Sequence, residues 1–261
     1  MKKKKNLVSI LIINYNNSRL VKKAIKSCIL QNYRNIEILI FDDKSKDNSI
    51  REIKNIALKN KIKFFLNKKK KTNIPAFDAR NAYYFLIKKS KGEIIFLLDS
   101  DDSFHKNKVT EVVKVFKKFK NINFLQSLPN LANSQTNNII SFWPFLAPES
   151  CISFRRNFIN NFIRRNKRLN NKFESVWFGF RLGCYAYFID KSFYCLRKNL
   201  TFYKSYGESK KYPHFGIDWF KRRLDSFNYL YLLSEKKLSF KLNYDFFVTF
   251  IVIKIYKFFK N

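Results

Sequence analysis

Histidine and cysteine are scarce, with two histidines and four cysteines among the 261 residues. His105 and His214 stand alone in the sequence, so neither indicates a metal site. The cysteines lie far apart and form no CxxC pair, so the sequence signatures of a zinc site and a disulfide framework are missing and a reducing cytoplasm is favoured. They are Cys28, Cys151, Cys184 and Cys195.

Acidic residues are also few, since 19 Asp and Glu stand against 53 Lys and Arg, a formal charge of +34. Such a charge attracts phosphates, anionic lipids or nucleic acid. The basic residues are spread through every segment, without a Cys/His finger spacing, an RNP-like aromatic strand or a basic-zipper heptad. An A/T-rich coding sequence, which favours Lys, Asn, Ile and Phe, is an alternative source of the charge. Nucleic acid is therefore not the expected partner.

Long apolar runs are missing as well. Lys2 to Lys5 precede an apolar run of only about seven residues, Leu7–Ile13, which is interpreted as a first strand and not as a signal peptide. The stretch Phe246–Phe259 is apolar and aromatic but carries Lys254 and Lys257, and it is too short to span a bilayer as a helix. It is predicted to be a helix that lies in a membrane interface or packs against the rest of the chain.

The first half alternates predicted strands and helices, the pattern of a parallel sheet covered on both faces. Continuous apolar runs are typical of strands buried on both sides. Ser18 is a predicted N-cap, and a helix with Pro75 in its first turn is predicted to end at Gly92. The predicted strands are Leu7–Ile13, Ile36–Phe41, Ile62–Leu66 and Glu93–Leu98, and the helices are Leu20–Ile29, Asp47–Lys59, Pro75–Ser90 and one carrying Val109 to Phe116.

An acidic cluster, Asp99-Ser100-Asp101-Asp102, follows the strand that ends at Leu98. The carboxyl ends of strands are where open α/β sheets bind ligands. Carboxylates this close repel one another unless they are compensated, and a divalent metal bridging to a diphosphate is the usual solution. An Asp-rich surface turn is the structural alternative.

Asp42 and Asp43 follow the second strand in the same way. Two parallel strands are therefore each followed by acidic residues at one edge of the predicted sheet. Taken alone, this pair is more simply explained as the start of a helix, with Ser45 as the cap and Asp47 favourable to the helix dipole. Both interpretations stay open at this point.

Together these blocks resemble family 2 glycosyltransferases, in the family's order and between residues 7 and 118. The resemblance implies the GT-A fold, an α/β fold with a mostly parallel central sheet flanked by helices, here with a C-terminal helical extension. Asn14 stands where the family usually has proline. The matching blocks are Val8–Asn16, Gln31–Tyr33, Glu37–Ile38, Asp42–Ser49, Ala79–Asn81, Lys91–Ile94 and Leu98–Asp102.

The resemblance also implies roles for single residues. Tyr15 would lie against the nucleotide base, Asp43 would accept a hydrogen bond from a uracil-type imide, and Arg80 would sit near ribose and phosphate. Asp102 would hold the metal, although the cluster offers both a DxD and a DD. The implied nucleotide-sugar-binding residues are Asn14, Tyr15, Asp43, Arg80, Asp99 and Asp101, and the implied ligands of Mn²⁺ or Mg²⁺ are Asp101 and Asp102.

Inverting members of the family need a general base for the acceptor hydroxyl. This base is usually the Asp of a Glu-Asp pair, but here Ser175 follows Glu174. Glu174 is the first candidate and Asp218 the second. For both, the alternative is a carboxylate that stabilises a helix N-terminus, and a catalytically impaired chain is a third alternative.

The sequence therefore predicts an inverting, metal-dependent glycosyltransferase that moves a sugar from a UDP-linked donor to a saccharide or lipid-linked saccharide in surface glycan assembly. A nucleotidyltransferase is the enzymatic rival, but Asn14–Asn17 is not the Gly-rich phosphate loop expected of one. A membrane- or glycan-binding pseudoenzyme is the other rival. The predicted organisation is a catalytic domain, 1–235, with a nucleotide-sugar-binding half, 1–127, and an acceptor-binding half, 128–235. A basic amphipathic extension, 236–261, follows, with the chain placed in the cytoplasm and peripherally at the inner membrane face.

Overall fold

The computed structural model describes residues 6–69, 71–72, 74–130, 142–204, 215–240 and 243–260. Within them, eight strands form one mixed sheet in the order β3-β2-β1-β4-β7-β6-β8-β5. The strands are β1 (Val8–Asn14), β2 (Ile36–Asp42), β3 (Lys63–Leu66), β4 (Ile94–Asp99), β5 (Ser103–Phe104), β6 (Phe124–Pro129), β7 (Ile152–Arg155) and β8 (Phe193–Phe202).

Four neighbouring strands, β3, β2, β1 and β4, run parallel to one another. In the register, Asn14 at the end of β1 is opposite Asp42, and Ile13 is opposite Asp99. The antiparallel strand β7 follows beside β4. Because parallel strands end at the same edge of a sheet, the residues that follow β1, β2 and β4 meet at one place.

Helices cover both faces of the sheet. They are α1 (Ser18–Ile29), α2 (Ser49–Asn60), α3 (Pro75–Lys89), α4 (Lys108–Lys118), α5 (Arg156–Asn166), α6 (Phe178–Cys184), α7 (Ile217–Leu233) and α8 (Tyr244–Lys260). Helices α1, α2 and α4 enclose one hydrophobic core, and α3, α5, α6 and α7 enclose the other. Ile10 and Ile12 of β1 enter the first core and Leu11 the second, which explains why this strand is apolar throughout.

The predicted strands and helices of the first half are confirmed to within two residues at each end, as is the helix predicted over Phe246–Phe259. The N-cap prediction for Ser18 is wrong. Ser18 is the first residue of α1, and its backbone N–H donates to Oδ2 of Asp47 at 2.8 Å. A carboxylate from the loop before α2 therefore binds this helix N-terminus.

The prediction that Gly92 ends α3 is also wrong, because the helix stops at Lys89 with Ser90 as its C-cap. Gly92 instead lies against β1, where its N–H donates to Ser9 Oγ at 2.8 Å. A Cβ atom at this position would stand 2.5 Å from the backbone nitrogen of Ser9. Glycine is required here by the close approach of two backbone segments.

Candidate active site

A cleft of about 880 Å³ opens at the edge of the sheet where β1, β2 and β4 end. Residues that follow these strands line it, including Tyr15, Asp43 and Asp101. The start of α3 and residues of the second half of the chain, among them Glu149 and Trp219, complete the lining. Both halves of the chain thus contribute to the cleft.

Asp42 holds the ends of β1 and β2 together. It is fully buried and accepts hydrogen bonds from Asn14 Nδ2 at 2.7 Å and from the backbone N–H and hydroxyl of Ser45 at 2.8 and 2.7 Å. The predicted capping role of Ser45 is therefore wrong, since α2 starts at Ser49. Asn14 lines the cleft, but its Nδ2 points to Asp42, and its Oδ1 has no hydrogen-bond partner among the described residues.

Tyr15 and Asp43 lie together in the cleft, as the resemblance implies. The Tyr15 ring is half-exposed and the Asp43 carboxylate is buried, with a hydrogen bond from Asn67 Nδ2 to its Oδ1. The Lys71 ammonium, which no motif pointed to, lies 2.8 Å from Asp43 Oδ2 and 3.0 Å from the centre of the Tyr15 ring. This group offers a flat aromatic surface and an acceptor, which suits a planar base with an N–H group.

Asp99 is held at the end of β4. The Tyr83 hydroxyl donates to its Oδ1 at 2.7 Å, and its own backbone N–H donates to Ser150 Oγ at 3.0 Å. Burial raises the pKa of Asp99 well above its ordinary value, and the carboxylates of Glu149 and Asp102 raise it further. The ionised form of Asp99 is therefore unfavourable unless a cation lies beside it.

Asp102 is buried beside the cleft. Its Oδ1 accepts the backbone N–H of Lys204 at 2.8 Å, whereas its Oδ2 has no hydrogen-bond partner among the described residues. Burial raises the pKa of Asp102 to about 7. Lys108, in the core behind it, donates to the Ser150 carbonyl and to Thr201 Oγ1, and burial lowers its pKa to about 8. The cluster thus has one buried cation near it.

The acidic cluster fits a divalent metal ion. Its ligand atoms are carboxylate oxygens, which Mg²⁺ and Mn²⁺ prefer, and Asp102 Oδ2 is a buried acceptor to which no described residue donates a hydrogen bond. Across the described ranges, no group of three or more His, Cys, Asp and Glu side chains forms a complete metal site. Mg²⁺ is usually bound by one or two carboxylates together with substrate phosphates and water. A metal at this cluster would therefore complete its coordination with the substrate.

Glu149 joins the acidic cluster from the second half of the chain. It starts a short 3-10 turn, Glu149–Cys151, and its Oε1 accepts the backbone N–H of Gly179 at 2.9 Å. Burial raises its pKa. Within the described lining of the cleft, it is the one carboxylate supplied by residues after 127. No local sequence pattern marks Glu149, and only the fold places it near Asp99.

The two predicted general bases, Glu174 and Asp218, are not among the described residues that line the cleft. Glu174 precedes α6, whereas Asp218 is in the first turn of α7, with a side chain 66% exposed and 2.9 Å from Lys221 Nζ. Ser175, at the position where the family usually has Asp, donates its hydroxyl to Asp225 Oδ2 at 3.1 Å. The structure thus does not bring Glu174 or Asp218 to the acidic cluster.

Arg80 is fully buried on α3 and is likewise not among the described cleft residues. Its guanidinium donates to the Asn170 carbonyl at 2.8 Å, and Arg181 donates to four carbonyls of the same segment, 169–176. Burial, and then the charge of Arg181, lowers the pKa of Arg80 to about 10. In this position Arg80 supports segment 169–176.

Other cleft residues come from segments in which the sequence shows no motif. Trp177 precedes α6, Trp219 and Arg222 belong to α7, and Lys204 follows β8. A single tryptophan, or an arginine within a basic run such as 221–223, is equally compatible with a core or a surface position in such segments. Their grouping becomes visible only once the helices are packed.

A family model described as Glycosyl transferase family 2 matches residues 9–196. An "Uncharacterized glycosyltransferase" of Rickettsia felis is 38% identical over 117 residues, which cover 44% of this chain and 18% of that protein. The UDP-Glc:alpha-D-GlcNAc-diphosphoundecaprenol beta-1,3-glucosyltransferase WfgD of Escherichia coli is 32% identical over 143 residues, 55% of this chain and 52% of WfgD. The matches thus span about a fifth and about half of these relatives.

Solved structures share the fold at low sequence identity. The mannosyltransferase PcManGT from Pyrobaculum calidifontis, in complex with GDP-Man and Mn²⁺, has a TM-score of 0.63 at 13% identity, covering 90% of this chain and 66% of that one. S. aureus TarS in complex with UDP-GlcNAc has a TM-score of 0.60 at 14% identity, covering 89% and 68%. The expected GT-A fold, with a mostly parallel sheet flanked by helices and a C-terminal helical part, is confirmed.

Proposed function

Because this chain belongs to glycosyl transferase family 2 and is a glycosyltransferase, we propose that it transfers a sugar from a UDP-linked donor to a saccharide or lipid-linked saccharide. The observation that carries this proposal is one cleft that holds Tyr15 and Asp43 together with the acidic residues Asp99 and Asp101. A base site and a diphosphate site in one cleft suit a nucleotide sugar. Membership in the family also decides against the nucleotidyltransferase alternative.

We propose that uracil is the base. Its ring would lie on Tyr15, and its imide N–H would donate to the Asp43 carboxylate, which is buried and accepts hydrogen bonds in the structure. WfgD is named for UDP-Glc, and TarS was solved with UDP-GlcNAc. Those names support a UDP-linked donor for this chain.

We propose that Asp101 and Asp102 hold Mn²⁺ or Mg²⁺ and that Asp99 lies at the sugar-diphosphate end of the cleft. The bound metal would neutralise the charge that develops on the leaving diphosphate. The residues of the chain prepare this site by burial, because burial raises the pKa values of Asp99 and Asp102 and so makes their charged forms favourable only beside a cation.

We propose transfer with inversion. The acceptor hydroxyl oxygen would form a bond to the anomeric carbon while the bond to the diphosphate breaks, and UDP would leave with the bonding electrons. A general base would take the hydroxyl proton. Glu149 is favoured for this role because its carboxylate lines the cleft, with Glu174 and Asp218 as the sequence-based alternatives.

We propose an acceptor in surface glycan biosynthesis, reached from the cytoplasm at the inner face of the membrane. WfgD is named for the lipid-linked acceptor GlcNAc-diphosphoundecaprenol. That name supports a lipid-linked saccharide for this chain, whose second half lines the cleft with tryptophan and arginine side chains suited to a sugar and a phosphate.

The test is a donor panel of UDP-Glc, UDP-GlcNAc and GDP-Man, incubated with the full chain and with Mn²⁺, Mg²⁺ or EDTA, while the released nucleotide diphosphate is measured. A UDP-sugar should be turned over fastest, and EDTA should stop the reaction. Preference for GDP-Man would reject the uracil assignment. Binding of UDP-sugars without turnover under any metal condition would instead support the pseudoenzyme.

A further inference from the structure

Helix α8 has apolar side chains on two opposite sides. The inner side packs on α7, with Phe246 at the hydrophobic core and with Thr249 and Ile253 buried. The other side, called here the outer face, has residues spaced three and four apart that share one side of a helix. These residues are 36% to 79% exposed. The outer face consists of Tyr244, Phe247, Ile251, Ile255 and Phe258.

A continuous apolar face that remains exposed marks an interaction surface. None of the helices in the described ranges is long and apolar enough to cross a membrane. The outer face is aromatic, and Lys254 lies beside it, while Lys257 and Lys260 lie further round the same helix, in a chain of formal charge +34. Aromatic and aliphatic side chains next to lysines are the composition of helices that lie in a membrane interface.

The outer face is held in a fixed position relative to the cleft. Arg223 of α7 donates through Nε to Asp245 Oδ1 at 2.6 Å and through a second nitrogen to Oδ2, and Asp245 is buried at the start of α8. The same helix α7 places Trp219 and Arg222 in the cleft lining. A surface bound by α8 would therefore lie at a defined position with respect to the acceptor side of the cleft.

We propose that the outer face of α8 docks on the anionic surface of a lipid bilayer, with its aromatic side chains among the headgroups and Lys254 on lipid phosphates. The inference rests on the proposed function for its purpose, which is to hold the cleft close to a lipid-linked acceptor. Docking itself needs neither donor nor acceptor, so it is tested without them.

The experiment mixes the full chain with vesicles of phosphatidylserine and phosphatidylcholine at raised salt and measures the bound fraction by sedimentation. Raised salt is needed because a charge of +34 attracts the chain to any anionic surface, and salt screens that attraction but not apolar insertion. The triple variant Phe247→Ser, Ile255→Ser, Phe258→Ser should bind at least about tenfold more weakly. At low salt, where the charge attraction is not screened, phosphatidylcholine alone should bind the natural chain about tenfold more weakly.

The matched control is the double variant Leu30→Ser, Leu58→Ser, which replaces two exposed leucines. Leu30 directly follows α1 and Leu58 belongs to α2, so this variant should bind like the natural chain. Thermal melting shows whether each variant is folded. Equal vesicle binding by the triple variant and the control would overturn the proposal. The proposal would also be overturned if the natural chain did not bind vesicles but formed a dimer that the triple variant does not form. That result would assign the outer face to contact with a second copy of the chain. Normal docking without UDP-sugar turnover would reject only the proposed function.

Discussion

The ammonium of Lys71 lies 3.0 Å from the centre of the Tyr15 ring. The same nitrogen is 2.8 Å from Asp43 Oδ2. The ring surface and the carboxylate proposed to bind the uracil are therefore both in contact with Lys71. A base that enters this part of the cleft has to displace the ammonium from at least one of these groups.

Lys71→Met is expected to raise the affinity for uridine. Lys71 competes with the base for Tyr15 and Asp43, and a cation on an aromatic face is stabilised by about 0.5–1 kcal/mol at an exposed site. Uridine is the probe because it lacks the diphosphate, which a lysine would attract. The dissociation constant, measured by titration calorimetry, should fall by a factor of about two to five.

Lys69→Met is the control, because it removes a charge from the same exposed loop and should leave uridine binding unchanged. Weaker uridine binding by Lys71→Met would contradict the competition and show that Lys71 holds the base.

Asp102→Asn is expected to make the metal-free protein more stable above pH 7. The pKa of Asp102 is raised from 3.8 to about 7 in the folded state, so the folded protein holds this proton where the unfolded chain has lost it. The contribution of Asp102 to the stability of the natural protein therefore falls as the pH rises from about 4 to about 7, by roughly 1.4 kcal/mol per pH unit. Asn does not titrate. Urea unfolding in EDTA across this pH range measures the difference between the two proteins.

The same variant tests the metal role. Mn²⁺ should raise the melting temperature of the natural protein and should not raise that of Asp102→Asn. Glu111→Gln is the control. Glu111 of α4 is paired with Lys114 of the same helix and with Lys198 of β8, and it is not a described cleft residue. An equal Mn²⁺ shift for Asp102→Asn would show that the metal binds without Asp102.

Glu149→Gln is expected to lower kcat by about 10² to 10⁴, the range usual for a lost general base. KM for the UDP-sugar should change little, because the amide keeps the shape of the side chain. Glu174→Gln and Asp218→Asn are compared with it under saturating donor and should stay close to the natural kcat. If kcat falls by that factor in Glu174→Gln or Asp218→Asn while Glu149→Gln stays active, the residue replaced in the impaired variant is the general base.

Arg80→Met is expected to lower the free energy of unfolding by about 2–4 kcal/mol, because a buried guanidinium that holds two carbonyls is lost. Arg51→Met, at an exposed position of α2, should have little effect. Urea unfolding measures both. If Arg80→Met has the stability of the natural protein but binds UDP poorly, the result would support the phosphate contact implied by the family resemblance.

The first half of the fold can be predicted from local sequence, and the second half cannot. The strand after Leu7 is apolar on both sides because both faces of the sheet are covered. Its apolar run therefore predicts a buried strand without knowledge of the segments that pack against it. Ser18, Ser45 and Gly92 are different cases. Residue type alone predicts for each its most frequent role in short-range structure, whereas in the structure each contacts a segment distant in sequence. For Ser45 this contact is with Asn16, whose backbone N–H donates to the Ser45 hydroxyl at 2.8 Å.

The candidate site divides in the same way. Tyr15 and Asp43 are predictable because each follows its own strand, and strand order then brings them together. Glu149 follows no periodic element, and its place near Asp99 depends on the packing of β7 and α6 against β4. Arg80 is the opposite case, since its motif is present in the sequence but its hydrogen bonds to carbonyls of a segment far along the chain are not predictable from that motif.

The pair formed by Arg223 and Asp245 bears on where this chain can be shortened. A cut after residue 235, the predicted end of the catalytic domain, would remove Asp245 and leave Arg223 without its acidic partner. Arg223 also stacks 4.8 Å from the Trp219 ring, and the backbone N–H of Phe142 donates to Asp245 Oδ2. A shortened protein would therefore lose support for a cleft residue. Point substitutions on the exposed side of α8 separate membrane attachment from folding, and deletion does not.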